Sequence, residues 1–177
     1  MAQNDPFELS RFVAAQDLVF DTVLTELRDG RKQTHWMWFV FPQLRALGRS
    51  PTANFYGIAS IEEARAYLLH PLLAERLVQT VDTVLGVSDR SAHDIFGSPD
   101  DLKLRSSMTL FNAAAGTTKN RFRRALQRFF AGEPDPRTLQ LLGGGIDEPP
   151  PLARAIRARE RFPPSTCRFS GPGRDHS

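Results

Sequence analysis

Residues 71–86 read PLLAERLVQTVDTVLG. Leu73, Leu77, Val81, Val84 and Leu85 recur in it at the helical period and form one apolar stripe. Pro71 stands where a first helical residue belongs, a position whose N–H has no intrahelical partner anyway, and Gly86 follows as a stop. The alternation of a half-buried strand is missing. The stretch therefore predicts an amphipathic helix with its own start and end.

The same grammar repeats in both directions. Phe20, Val23, Leu24 and Leu27 make a stripe that ends at Gly30, and Phe122, Ala125, Leu126, Phe129 and Phe130 make another that ends at Gly132. Ser60 with Glu63 has the spacing of a capping box. Ser98-Pro99-Asp100-Asp101 combines an N-cap, a proline at the first helical position and two acids in the first turn, and Asp135-Pro136 repeats that arrangement. Asn-Gly and Asp-Gly hairpin turns are absent, apart from the Asp29-Gly30 that closes a helix. The expected fold is all-α, a single compact multi-helix domain of about seven helices near 17–29, 35–41, 51–56, 60–69, 71–86, 98–115 and 117–131, with short turns near 91–96 and 135–142. No internal repeat is visible.

Composition sets the frame. A chain of 177 residues with 41% apolar side chains can bury one ordinary core. The expected globular domain covers residues 1–145. Beyond Leu142, LLGGG gives way to IDEPPP, and Pro, Gly, Arg and Ser dominate residues 146–177, which read as a disordered tail. Its LARAIRARERF stretch, residues 152–162, is a short basic helix former that needs a partner to fold. The sequence pI of 9.5 suggests a nucleic-acid binder. Dividing the charges by region removes that suggestion, since residues 1–143 hold 17 basic against 16 acidic side chains. Cys167 is the only cysteine, which excludes an intramolecular disulfide and a cysteine-based zinc site. The polar start MAQNDPFELSRF lacks a signal peptide's basic and apolar regions, and no run approaches the roughly 20 apolar residues of a membrane span. The expected compartment is the cytoplasm.

With RKQTHWMWFVFPQLRALGRSPTANFYGI, EARAYLLHP and IFGSPDDLKLRSSMTLF in place, the chain resembles the bacterial proteins catalogued as domain of unknown function 1810. The likeness runs from about Phe12 to Leu142. It implies a mainly α-helical fold and brings no activity, substrate or catalytic residue. Some members carry the label calpastatin. An inhibitor of that kind is a long, largely disordered chain, whereas this one is rich in core-forming stripes, so the label is set aside.

Chemistry concentrates in three stretches. In RKQTHWMWFVF, residues 31–41, a helix after Thr34 is apolar nearly all round and so reads as central and buried. Either its aromatics are simply core, or Trp36 or Trp38 lines a pocket with Lys32 and His35 at the rim. In SPDDLKLRSSMTLF, residues 98–111, Leu104, Met108 and Phe111 face a core, while Ser106, Ser107 and Thr109 crowd hydroxyls into a helix interior where they compete for backbone groups. Close helix contact or a polar cavity would account for them. Lys103 and Arg105 bring two cations near that helix's start. On residues 117–131, Arg121, Arg124 and Arg128 share a face opposite Phe122, Leu126 and Phe129, the pattern of a solvated surface helix.

Two functional expectations follow. One is a pocket for a small anionic ligand, such as a nucleotide or phosphorylated metabolite, where the HWMW segment meets the helix carrying Lys103 and Arg105. There a Trp supplies a wall, Lys32, His35, Lys103 and Arg105 supply charge, His35 is the candidate acid/base, and Tyr56 and Asp100 are secondary contributors. The other is a non-enzymatic module that engages a protein or nucleic acid through the basic 117–131 face or the tail. Whether the protein is an enzyme stays open. No cofactor motif is present, and His35, His70 and His93 lack metal-ligand spacing, so no metal is expected.

Overall fold

The computed structural model describes residues 4–143. Ten helices follow one another among these residues: α1 Ser10–Asp17, α2 Phe20–Arg28, α3 Met37–Val40, α4 Pro51–Phe55, α5 Ile61–Leu69, α6 Pro71–Leu85, α7 Ala92–Phe96, α8 Asp100–Ala115, α9 Arg121–Phe130 and α10 Pro136–Leu141, with a 3-10 turn at Arg45–Leu47. Among the described residues there is no strand, and no helix is long and apolar enough to cross a membrane. The disordered-tail expectation, with its basic segment 152–162, lies outside the described residues.

The all-α reading holds, and the caps explain most boundaries. His70 caps α6 through its ring, Nδ1 accepting from the Leu73 N–H at 3.3 Å, with Pro71 as the first helical residue. Ser60 accepts from Glu63 N at 3.2 Å, but the Glu63 carboxylate turns to Ala59 N and Arg11, so only half of the expected capping box forms. A full box forms instead at Ser91 and Asp94, where a turn was expected and α7 stands. Asp135 caps α10, accepting from Thr138 N at 2.9 Å, in the second stretch expected to be a turn. The α8 helix begins at Asp100, with Pro99 rather than Ser98 at the cap position. The separate α1 was not expected, because its cap comes from far away: Asp5 accepts from Leu9 N at 2.8 Å and Ser10 N at 2.9 Å.

The central element is α8. It packs against α5, α7, α9 and α10, and its buried run from Ser106 to Phe111 leaves no polar face over that span. The HWMW segment, expected as the central helix, is a single turn at Met37–Val40 that ends at Phe41 before Pro42. Its aromatics split: Trp36 and Phe41 are buried, whereas Trp38 and Phe39 are only partly so. Phe96 meets Trp36 and Phe41 edge to face, and Phe12, Tyr67, Phe111 and Phe122 form a second run of ring contacts in the core.

The chain after α3 is pinned by one parallel bridge, with Arg45 N donating to Ile58 O at 2.8 Å and Ile58 N to Gln43 O at 2.9 Å. Gly57 makes that approach possible. A Cβ there would lie 2.5 Å from Arg45 Cα and 2.9 Å from Ala53 O, backbone atoms that cannot swing aside. Gly57→Ala is therefore expected to destabilise the fold by about 1–3 kcal/mol, the range for overpacking, read as a lower urea midpoint at unchanged slope.

Candidate functional site

The site grows from the turn after α2. Gly30, at φ +66°, ends the helix, and Arg31 N reaches back to Glu26 O at 3.0 Å. The returning chain then wraps the Glu26 carboxylate, which is 5% exposed. It accepts from Gln33 N at 2.8 Å, Thr34 N at 3.2 Å, Thr34 Oγ1 at 2.7 Å and Trp36 Nε1 at 2.8 Å. Burial pushes this carboxyl up, and the four donors outweigh it, holding the group below its ordinary value. A charge inside the fold thus fixes the ring of Trp36.

Lys32 leaves the same turn. Its N–H donates to Ile95 O at 2.7 Å, its ammonium lies 5.3 Å from the Trp36 ring centroid, and Nζ pairs with Asp100 Oδ2 at 2.8 Å. Lys103, one turn into α8, pairs with the other carboxylate oxygen, Asp100 Oδ1, at 2.8 Å and lies 5.0 Å from the Trp38 ring centroid. Burial pushes the Asp100 carboxyl up, but the hydrogen bonds and charges of Lys103 and Lys32 more than reverse this and hold it low. One carboxylate is thus divided between two ammonium groups. Lys32 is nearly sealed at 8% side-chain exposure, whereas Lys103 keeps 24% and faces a cleft.

That cleft is lined by Met37, Trp38, Phe41, Gln43, Tyr56 and Lys103, and it encloses about 10 Å³. The space suits about one water-sized atom. Among the described residues, the Gln43 amide and the Tyr56 hydroxyl, on two residues that line the cleft, make no side-chain hydrogen bond. One turn beyond Lys103 on the same face of α8, Ser107 is fully buried with its hydroxyl unpartnered. Among the described residues, neither the Tyr56 nor the Ser107 hydroxyl is hydrogen-bonded to a base.

Of the residues chosen from sequence, Lys32, Trp36, Trp38, Asp100 and Lys103 come together, and Tyr56 borders the same cleft while packing on Phe39 and Phe12. His35 is exposed, its ring 6.5 Å from that of Trp38, and among the described residues no hydrogen bond orients it as an acid or base. Arg105 does not join. It lies two residues from Lys103, about 200° around a helix of 3.6 residues per turn, and donates to Glu133 O at 3.0 Å and Pro134 O at 3.2 Å. Two neighbouring hydroxyls go with it: Ser106 donates to Asp135 Oδ2 at 3.2 Å, and Thr109 accepts from Asp135 N at 2.8 Å. Two of the three hydroxyls in α8 thus dock the segment leading into α10. Gln43 and Gly57 belong to the site and were not picked out, because an isolated glutamine and glycine carry no pattern. Among the described residues no three His, Cys, Asp or Glu side chains gather as a metal site.

Comparison with known proteins places the chain in a wider group. A family model described as "Protein of unknown function (DUF1810)" matches residues 6–142. Among solved structures, a conserved hypothetical protein from Mycobacterium tuberculosis is similar at 55% identity, over 78% of this chain and 98% of that one, with a TM-score of 0.76. No curated protein matches the chain.

Proposed function

The chain belongs to the DUF1810 family, which supplies no activity, and from its geometry we propose that it binds a small anionic ligand at the Trp38–Lys103 cleft. One observation carries this reading: Lys103, its ammonium paired with Asp100 and still partly exposed, borders a one-atom cleft that Gln43 and Tyr56 also line. An ammonium has three donors and Asp100 uses one, so a carboxylate or phosphate oxygen entering the cleft would meet charge and hydrogen bonds together. The 10 Å³ interior admits one such oxygen, and the rest of the ligand would lie across the partly exposed face of Trp38, near His35. Nucleotides and phosphorylated metabolites fit that description. Lys32 then serves to hold Asp100, and through it Lys103, in place. The reading is of a binding site, in a reducing, cytoplasmic setting consistent with the single Cys167.

Thermal unfolding at constant ionic strength tests it, with inorganic phosphate and ADP as probes. A ligand at about 100 times its Kd should stabilise the fold by about 2.7 kcal/mol. Lys103→Met should abolish the shift, Tyr56→Phe, which keeps the packing, should reduce it, and Arg105→Met should leave it intact. A shift that survives Lys103→Met, or no shift with either probe, overturns the proposal.

A further inference from the structure

A second concavity lies on another face, independent of the Trp38 cleft. Between α6 and α9 runs an open groove of about 1030 Å³, at the upper end of the roughly 300–1,000 Å³ that small-ligand sites span. Its floor is aliphatic, made by Leu68, Ala74 and Val78, all partly exposed. Phe122 also borders it but is 4% exposed, so no aromatic face is offered for stacking. The rim is basic. Arg121 is neutralised by Asp82 at 2.6 Å, whereas Lys119, Arg123 and Arg124 have no acidic partner among the described residues. Asn120 caps α9, accepting from Arg123 N at 2.9 Å, so the positive end of the helix dipole adds to the same field.

These features select among ligands. A base would lack a stacking surface, which disfavours nucleotides and single-stranded nucleic acid. Free phosphate would use the rim and leave the aliphatic floor wet. The chain's own residues 144–177 carry six basic against four acidic side chains, the wrong sign for this rim. An aliphatic tail with an anionic head uses both parts. We infer that the α6–α9 groove binds a single-chain anionic amphiphile, its tail along Leu68, Ala74 and Val78 and its head between Lys119, Arg123 and Arg124.

Calorimetric titration of the full chain with dodecyl phosphate below its micelle concentration, at about 150 mM salt, tests this, with amide chemical shifts mapping the site. Dodecyl phosphate should bind with shifts centred on residues 74–78 and 118–127. Arg123→Glu with Arg124→Glu should weaken it at least tenfold, Val78→Glu should do the same through the floor, and Lys103→Met should leave it unchanged, which separates this site from the Trp38 cleft. Both Arg positions are exposed, so the double variant is expected to fold. Tighter binding of ADP at these amides, equal binding of uncharged dodecyl maltoside, indifference to the Arg reversals, or shifts located elsewhere would each overturn the inference.

Discussion

Glu26→Ala is expected to destabilise the fold by about 3–5 kcal/mol at pH 7, the scale for removing one member of a buried, charge-dependent network. The reason is local and complete. Four donors converge on one carboxylate, and the Trp36 indole N–H, within a ring 1% exposed, has no water to turn to when it is gone. Glu26→Gln should cost less, since its remaining oxygen can keep some of the donors. The pH dependence has a definite sign. Because the folded-state value is lowered, this contribution is fully present above the unfolded glutamate value of about 4.3 and is lost as pH falls below it. The gap between wild type and Glu26→Ala should therefore be wide at pH 7 and narrow near pH 3 in urea titrations. A gap of constant width would show that packing, not charge, sets the effect.

Arg11→Met should have a loss of similar size, about 3–5 kcal/mol. The Arg11 guanidinium donates to Phe7 O at 2.6 Å, Glu8 O at 2.9 Å, Phe55 O at 2.9 Å and Gly57 O at 3.3 Å, and pairs with Glu63 Oε1 at 2.6 Å. It ties α1 to the α4–α5 connection across more than forty residues of sequence. Methionine retains the aliphatic length and the contact over Phe12 but strands Glu63, 2% exposed, with a charge that Ala59 N alone cannot satisfy. Arg11→Met with Glu63→Leu should recover a good part of the loss, because removing both partners leaves no orphaned charge. Denaturant midpoints of the two single variants and the double variant decide it, and additive losses would show that the pair is not the cause.

How much of this was legible beforehand depended on how local the cause was. The α6 stripe, the Pro71 start and the Asp135-Pro136 cap lie within a few residues of what they determine and read directly, although the stretch after Asp135 was expected as a turn and forms α10. The α1 cap does not, because Asp5 reaches past the usual spacing to Leu9 and Ser10. In the cleft, residue chemistry pointed to Lys32, Trp38, Asp100 and Lys103, since a basic pair beside tryptophans and cations near a helix start stand out, the macrodipole there favouring acids. The sharing of Asp100 between two lysines was invisible, for it joins positions 32 and 100 through tertiary packing alone. The placement of Arg105 was legible and misread: on any helix carrying Lys103, a residue two positions on points nearly the opposite way. The expectation of a central helix over 35–41 gave way to a single turn at Met37–Val40, which ends before Pro42 as expected but begins later, and the centre belongs to α8.

The latch formed by Arg105, Ser106 and Thr109 gives the fold two tiers of strength. The buried apolar cluster draws on every helix from α1 to α9 except α4, whereas α10 buries Thr138 alone and is held mainly by hydroxyl, carboxylate and guanidinium contacts. Such contacts fix direction and register well but contribute little once water can replace them. The last helix is therefore the part expected to exchange its amide hydrogens first, as a hinged flap opens before a sealed box, and hydrogen exchange should show weaker protection at residues 138–142 than along α8.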